Sequence, residues 1–229
     1  MSFLEKFHQA FIAKDRYLLY FEGLGVTLQI TICSILLGTL LGVLFALMRI
    51  SDVRLGLLRP LRFAASVYIS VIRGTPMVVQ LLVMYMVVFT APNTSKVLVC
   101  IVALGINSGA YVAEIIRAGI QSVEAGQMEA GRSLGLSKAQ TMAHIILPQA
   151  VKNILPTYCN EFIVLIKETA IVGYIGVQDL TKMSSTITSR TYEAMLPLLI
   201  IAAVYFLITM GLSRLFDLME RRLRRSDKG

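Results

Sequence analysis

Two carboxylates lie seven residues apart in a largely apolar stretch of the chain. Glu161 and Glu168 share one face of an unbroken helix, because seven residues make two turns. Asn160 and Lys167 form a parallel row beside them. Thr169, followed by Gly173 and Gly176, indicates that this helix also breaks toward its outer half. Charges this dense in apolar sequence are costly without partners or water. We expect these residues to line a wet internal face, where a glutamate holds an ammonium group or a basic side chain of a substrate. The alternative is that Lys167 pairs with a glutamate and neutralises a subunit interface.

A further charge, Arg73, precedes Gly74, Thr75 and Pro76 in another apolar stretch. Pro76 has no backbone N–H and disfavours helical geometry at Thr75, so we predict that the helix breaks here. A break inside a membrane exposes backbone groups that only a cavity or neighbouring protein satisfies, and transporters place ligands at such breaks. Arg73, together with Thr75, either binds a substrate carboxylate or serves as a structural cation paired with the freed carbonyls. The N–H groups at the start of the helix after Pro76 are an equal alternative for holding the carboxylate.

The elements that carry these residues are predicted to be membrane helices. Hydrophobic residues make up 56% of the 229 positions and charged residues only 16%, a composition that favours a bilayer over water as the surrounding solvent. A membrane-spanning helix needs about 20 apolar residues. We predict an all-α integral membrane protein with a single transmembrane domain over residues 1–229 and five spans, at about 23–48, 63–91, 97–116, 153–178 and 194–216.

Basic residues flank alternate ends of these spans, and the positive-inside rule assigns them to the cytoplasm. They are Arg49, Arg54, Arg59 and Arg62 in the first loop, Arg117, Arg132, Lys138 and Lys152 in the third, and Arg214 to Lys228 in the tail. This distribution predicts an N-terminus outside and a C-terminus in the cytoplasm. We attribute the net charge of +8 to contact with anionic lipid rather than to nucleic acid.

The stretch of mixed polarity from Gln121 to Lys152, called the coupling segment below, lies between the third and fourth predicted spans. Residues 127–134 suit a short helix, and Gly135 is placed to end it in the left-handed conformation. Ser137 and Gln140 have the spacing of a capping box, which starts a second helix. We therefore predict a cytoplasmic unit of two short helices.

Seven residues of the coupling segment occupy the defined positions of the pattern EAA-x3-G-x9-I-x-LP in register, and six of them match it: Glu129, Ala130, Gly131, Gly135, Ile145, Leu147 and Pro148. This pattern resembles the EAA loop of permease subunits in bacterial ABC importers. The third position holds Gly131 in place of Ala, a small residue for a small one. The resemblance implies that the loop docks into a groove on an ATP-binding subunit. Leu147 and Pro148 are expected to end the second short helix.

A second resemblance covers most of the chain and concerns the cargo. It is carried by four segments: Arg73 to Pro76, Asn107 to Tyr111, Asn160-Glu161, and Lys167 to Thr169. These segments are similar to those of the polar amino acid permeases, which serve histidine, arginine, lysine, glutamine and glutamate. An alternative is a permease of the same superfamily for methionine or an organic ion.

The resemblance also implies partners and a location. It implies a second permease subunit, identical or related, with two copies of an ATP-binding subunit and an extracytoplasmic amino acid-binding protein, in a bacterial inner membrane. The sequence contains no G-x4-G-K-[ST] phosphate-binding loop. ATP hydrolysis is therefore expected in a separate chain, and no enzymatic activity or cofactor is predicted for this one.

The remaining polar and aromatic residues receive structural interpretations. Asn107 to Gly109 permits either close helix packing or a lining role, and we favour packing. Glu114 and Arg117 are interpreted as a local ion pair. Aromatic residues recur every fourth position near the N-terminus and predict a short interfacial helix: Phe3, Phe7 and Phe11. No metal site is predicted, because the three cysteines lack metal-ligand spacing: Cys33, Cys100 and Cys159.

Overall fold

A computed structural model describes residues 2–50 and 59–225 of the chain. Across these residues the regular secondary structure is helical, with no strand. The α-helices are α1 Phe3–Phe7, α2 Arg16–Ile50, α3 Arg59–Gly74, α4 Met77–Val83, α5 Lys96–Gln121, α6 Ala125–Ser133, α7 Lys138–Thr141, α8 Leu147–Glu168, α9 Leu180–Thr191 and α10 Met195–Arg225. The all-helical class is therefore confirmed. Of the basic residues that predict orientation, Arg54 and Lys228 lie outside the described residues.

Three helical stretches in the described part of the chain are long and apolar enough to cross a membrane: Phe3–Arg49, Lys96–Gln121 and Met195–Arg222. A fourth span results if Arg59–Gly74 and Met77–Val88 are taken together as one broken span. The region predicted as the fourth span lies largely in α8, which contains Lys152, Glu161, Lys167 and Glu168 and is not among these stretches. The count of five spans stays a prediction.

The predicted break before Pro76 is confirmed. α3 ends at Gly74, Pro76 is extended at φ −63° and ψ 136°, and α4 begins at Met77. The side-chain amide of Gln80 donates to the Thr75 carbonyl oxygen at 3.1 Å and to the Thr75 hydroxyl at 2.7 Å. A local side chain thus satisfies one carbonyl that the break removes from the helical ladder.

The described residues fall into two compact units. The first unit is drawn from Met1–Leu36, Thr75–Gly105 and Ile163–Leu212. Its core is formed by Tyr20, Leu180, Ile187 and Ile201. Gly23 allows close packing here, because an added Cβ would lie 2.8 Å from the Met183 side chain.

The second unit is drawn from Leu37–Gly74, Ile106–Phe162 and Ser213–Gly229. Ile69, Ala110 and Ala113 form its core, and the Phe45 and Tyr68 rings stack with centroids 4.2 Å apart. Gly109 meets the Leu41 side chain, to which an added Cβ would approach within 2.9 Å. Asn107 and Ser108 are buried beside it. The close packing predicted for this polar stretch is confirmed at Gly109.

The short helix predicted at the N-terminus is present in the first unit. α1 is capped by Ser2 and continues through a π-helical turn, His8–Ile12, and a 3-10 turn, Ala13–Asp15. The rings of Phe7 and Phe11 stack at 5.6 Å. Lys6 forms an ion pair with Glu193 at 2.8 Å, which ties α1 to the connection before α10.

Candidate functional site

The turn between α6 and α7, residues 131–140, is called the coupling turn and is built from local hydrogen bonds. The Leu136 N–H donates to the Gly131 carbonyl at 3.2 Å, and the Gly135 N–H donates to the Arg132 carbonyl at 3.1 Å. This pair of bonds is a Schellman motif, and it requires the left-handed conformation that Gly135 adopts at φ +86°. The predicted left-handed glycine is confirmed.

The start of α7 is fixed as predicted by a capping box. The Gln140 N–H donates to the Ser137 hydroxyl at 3.2 Å, and the Ser137 N–H donates to the Gln140 side-chain oxygen at 2.8 Å. Thr141 adds a hydroxyl bond to the Ser137 carbonyl at 3.0 Å. The Arg132 guanidinium donates to the Leu136 carbonyl at 2.9 Å. Few backbone groups of the coupling turn are therefore left without partners.

Gly131, the residue that departs from the EAA pattern, is buried where α6 meets α7. A Cβ added at Gly131 would lie 2.4 Å from the Thr141 methyl carbon and 3.0 Å from the end of Ile145. Distances this short require the neighbours to move. The departure from Ala therefore has a structural reason in this chain, because Thr141 already occupies the space that an Ala methyl would need.

The second short helix does not end at Leu147 and Pro148, so that prediction is wrong. α7 passes through a π-helical turn, Met142–Ile146, directly into α8. The Leu147 N–H donates to the Met142 carbonyl five residues back. A π-helical turn relieves the clash and the missing bond that Pro148 would cause in a regular α-helix. The proline is thus accommodated inside one helical run.

The residues of the coupling segment that match the EAA pattern expose both charged and apolar side chains. Glu129, Ala130, Leu147 and Pro148 are exposed, and Leu134 is 81% exposed. The two ends of the coupling segment are held together, because the Asn153 side chain just after the segment donates to the hydroxyl of Ser122 near its start at 2.9 Å. A compact projection with exposed apolar side chains is suited to contact with another protein.

Glu161 is buried in the second unit and is 8% exposed. The hydroxyl of Ser108, which is fully buried, donates to its carboxylate at 2.9 Å. The sequence interpretation favoured packing for Ser108 and missed this bond. The available signal was a hydroxyl in an apolar span, although nothing in the sequence paired it with a carboxylate 53 residues away.

The other polar residues at the end of α8 differ in exposure. Asn160 and Lys167 are exposed, and Glu168 is partly buried at the last residue of the helix. Thr169 is buried and donates its hydroxyl to the Ile166 carbonyl at 2.7 Å. In the described residues, no ion pair joins Lys167 to Glu168. The break predicted after Thr169 is confirmed by a 3-10 turn, Thr169–Ile175, and by Gly176 at φ +81°.

Arg73 is exposed at the end of α3, and its guanidinium lies over the Tyr111 ring at 5.3 Å from the centroid. This cation–π contact was not predicted. The predicted pair of Glu114 and Arg117 is confirmed at 3.0 Å, and Arg49 joins it at 2.9 Å. The ends of α2 and α5 are thereby connected through one carboxylate.

Comparison with known proteins decides the family. Residues 38–225 match the family model described as binding-protein-dependent transport system inner membrane component. The chain belongs to this family. The transport component is 39% identical over 211 residues to the arginine transport system permease protein ArtQ of Bacillus subtilis (strain 168), with 90% of this chain and 93% of that one covered.

Two further relatives agree with the assignment. The transport component is 40% identical to the L-cystine transport system permease protein TcyB of Bacillus subtilis (strain 168), with 89% of this chain and 86% of that one covered. A crystal structure of an amino acid ABC transporter with histidines matches at a TM-score of 0.86 and 46% identity, covering 97% of this chain and 99% of that one. The chain is thus a multi-helical membrane component.

The candidate residues of this transport component fall into separate groups. Arg73 and Glu161 belong to the second unit, where each contacts a residue of α5. The residues that belong to the first unit are Thr75, Lys167, Glu168 and Thr169. The residues of the coupling segment all lie in the second unit, where the coupling turn brings α6 and α7 together.

Proposed function

We propose that this transport component is the permease subunit of an ATP-binding-cassette importer for polar amino acids. Two permease subunits, identical or related, would enclose the pathway, because one chain has too few helices to surround it. Each would contact one copy of a separate ATP-binding subunit, and an extracytoplasmic amino acid-binding protein would deliver the solute. This chain would bind no metal and no cofactor.

The construction of the coupling segment is the observation that carries the proposal. A segment transmits displacement only if it moves as a body, since a flexible loop would absorb the motion in its own conformational changes. The Schellman turn, the capping box and the bond between Asn153 and Ser122 make the segment rigid. Its exposed residues would contact the ATP-binding subunit: Glu129, Ala130, Leu147 and Pro148.

For the membrane arrangement we propose five spans. α2, the broken pair of α3 and α4, α5, α8 with the 3-10 turn after it, and α10 would each cross once. An odd number of spans, with the basic ends in the cytoplasm, gives an N-terminus outside and a C-terminus inside a bacterial inner membrane. The polar character of α8 is then explained by contact with the pathway rather than with lipid.

The solute-binding residues are proposed one by one. Glu161 and Glu168 would each bind a cationic group of the solute, assisted by Asn160 and Thr169. Lys167, Arg73 and Thr75 would bind a carboxylate. Because Arg73 is exposed and lies over Tyr111, its guanidinium is held in place yet accessible to an anion.

The test is ATP-dependent uptake of a panel of labelled amino acids into liposomes that contain this chain, its ATP-binding subunit and its binding protein. We expect uptake of arginine, lysine or histidine. Uptake restricted to glutamine, glutamate or cystine would retain the importer and reject the glutamates as a site for a cationic side chain. ATP hydrolysis without uptake of any polar amino acid would favour methionine or an organic ion as the cargo.

Single substitutions test the glutamates separately. We expect Glu161→Gln and Glu168→Gln to weaken the apparent affinity for the solute roughly tenfold each, the effect of losing one charged hydrogen bond. Glu22→Gln, which removes an exposed carboxylate from α2, is the matched control and should leave affinity unchanged. If both α8 variants retain the affinity of the unmodified chain, the proposed role of the glutamates is wrong.

A further inference from the structure

A second candidate binding site lies in the first unit and shares no residue with the proposed solute-binding residues or the coupling segment. A recess of about 470 Å³, called the cationic recess, opens between the segment before α2 and the end of α9. The described residues that line it are Lys14, Arg16, Ser189, Arg190 and Tyr192. Three of these side chains are cations and two carry hydroxyl groups. This donor set matches an anion with several oxygen atoms.

The backbone around the cationic recess is held in an uncommon conformation. Lys14, Asp15 and Tyr192 have φ of 58°, 53° and 55°, and they are the non-glycine residues of the described chain with positive φ. Left-handed geometry disfavours residues with a Cβ and persists where the surrounding structure imposes it. Two of the three residues line the recess from opposite sides. The fold therefore imposes this geometry on both walls.

The charge of the cationic recess is not neutralised by ion pairs in the described residues. The nearby carboxylate of Glu193 is engaged by Lys6 at 2.8 Å. Arg16 is only 7% exposed, and its guanidinium donates to the Gln9 carbonyl, which fixes its position at the base of the recess. Lys14 and Arg190 are exposed and free to close on a bound group.

The surroundings of the cationic recess indicate which anion it takes. Arg16 is the first residue of α2, a helix suited to crossing the membrane, and the next turns expose Leu18 and Phe21 by 49% and 64%. Ile12, in the π-helical turn before α2, is 48% exposed. Apolar side chains beside a cluster of cations and a tyrosine are typical of a membrane interface, where lipid phosphates meet acyl chains.

We propose that the cationic recess binds the phosphate headgroup of an anionic phospholipid. Arg16 and Arg190 bind the phosphate oxygens, Lys14 supplies a further charge, and the Tyr192 hydroxyl donates to a phosphate or glycerol oxygen. Ser189 lines the recess while its own hydroxyl donates to the Thr186 carbonyl at 2.8 Å. The acyl chains lie along Leu18 and Phe21. The recess shares no residue with the proposed solute-binding residues or the coupling segment, so its test does not depend on the cargo.

The experiment measures lipid retention by the purified full transporter in detergent, using native mass spectrometry with added phosphatidylglycerol or phosphatidylcholine. The double variant Lys14→Asn/Arg190→Gln removes two charges, and Asn tolerates the left-handed backbone at position 14. We expect the unmodified transporter to retain phosphatidylglycerol preferentially and the double variant to retain it roughly 30-fold less. Lys182→Gln, which removes a cation elsewhere in the first unit, should match the unmodified protein.

Further measurements exclude other occupants. Unchanged retention of phosphatidylglycerol in the double variant, with native elution on gel filtration, would overturn the proposal. Complete displacement of the lipid by inorganic phosphate would also overturn it, because the recess would then be a site for free phosphate. Unchanged lipid retention with a loss of uptake stimulated by the binding protein would assign the recess to an acidic protein surface instead. If the double variant does not fold, Lys14→Asn alone, at an exposed residue, gives the same comparison.

Discussion

The coupling turn and the stretch of α8 around Glu161 are organised in different ways. In the coupling turn, the bonds that set the backbone join residues three to five positions apart. Around Glu161, the hydroxyl bond to the carboxylate comes from Ser108, which is 53 positions away. The first region is exposed and shaped by its own sequence. The second is buried and depends on the packing of α5 against α8.

This difference separates two kinds of structural role. A region whose geometry is local keeps its shape when its partners move, which suits contact with a subunit that changes conformation. A buried carboxylate held by a distant residue is sensitive to any shift between the helices that carry the two groups. Four substitutions, taken from the largest expected effect to the smallest, test this comparison.

Gly135→Val should have the largest effect on coupling. A β-branched residue at φ +86° costs about 1–2 kcal/mol or more and opens the Schellman turn. We expect ATP hydrolysis to continue while uptake per ATP falls roughly tenfold. The control is Gly126→Ala in α6, where an added Cβ meets no neighbouring atom. Uptake coupled to hydrolysis as in the unmodified protein would contradict the role of the coupling turn.

Ser108→Ala tests the region whose structure depends on distant residues. Loss of a hydrogen bond to a charged group costs about 1.5–3 kcal/mol, so we expect a lower melting temperature. The control is Ser34→Ala, which removes a buried hydroxyl bond of 3.2 Å to the neutral Ile101 carbonyl and should cost about 1 kcal/mol. Equal shifts in melting temperature for Ser108→Ala and Ser34→Ala would show that the bond to the Glu161 carboxylate stabilises the protein no more than a bond to a backbone carbonyl.

Gly131→Ala should destabilise the coupling segment although it restores the residue of the EAA pattern. Overpacking against Thr141 costs about 1–3 kcal/mol, in the lower part of that range if Ile145 moves aside. Thr141→Ala removes both of the nearest atoms, so the double variant should recover part of the loss. The measurement is a double-mutant cycle on melting temperature. Simple additivity of the two substitutions would rule out the steric explanation.

Glu193→Gln should have the smallest effect, although its partner Lys6 is distant in sequence. Lys6, through its hydrogen bond and its charge, holds the pKa of Glu193 below the usual range of a glutamate. The pair therefore stabilises the protein above about pH 4.3, the ordinary glutamate pKa, and this contribution is lost as pH falls through the lowered pKa. Because the pair is solvent-screened, we expect only a slight shift in melting temperature at pH 7 and none at low pH. A shift that grows on acidification would contradict this interpretation.

Much of the backbone of the candidate site was predictable from sequence because its signals are local. Gly135, the capping box of Ser137, the break before Pro76 and the break after Thr169 each follow from residues within a few positions. The same local reasoning failed at Pro148, where a proline was expected to end a helix. The helix continues through Pro148 because a π-helical turn precedes it. No residue type predicts a π-helical turn as reliably as a glycine predicts a left-handed backbone conformation.

The partners of the charged residues were not predictable, because they are set by packing. Tyr111 under Arg73, Ser108 at Glu161 and Arg49 at Glu114 are separated from those residues by 38 to 65 positions. A single sequence contains no measure of which spans adjoin. Their polarity inside apolar stretches indicated only that each needed some partner. The solute-binding roles of the glutamates stay a prediction for the same reason.

The uninterrupted helical run from Lys138 into α8 restricts how the gene can change in length. Each inserted residue would rotate everything beyond it by about 100° and advance it by about 1.5 Å. One extra codon between Pro148 and Glu161 would turn the carboxylate away from Ser108, and seven would restore the angle but displace it by about 10 Å. Insertions and deletions should therefore be excluded from this interval among related genes, and tolerated in the connection between Phe89 and Ser95, which lies outside any helix.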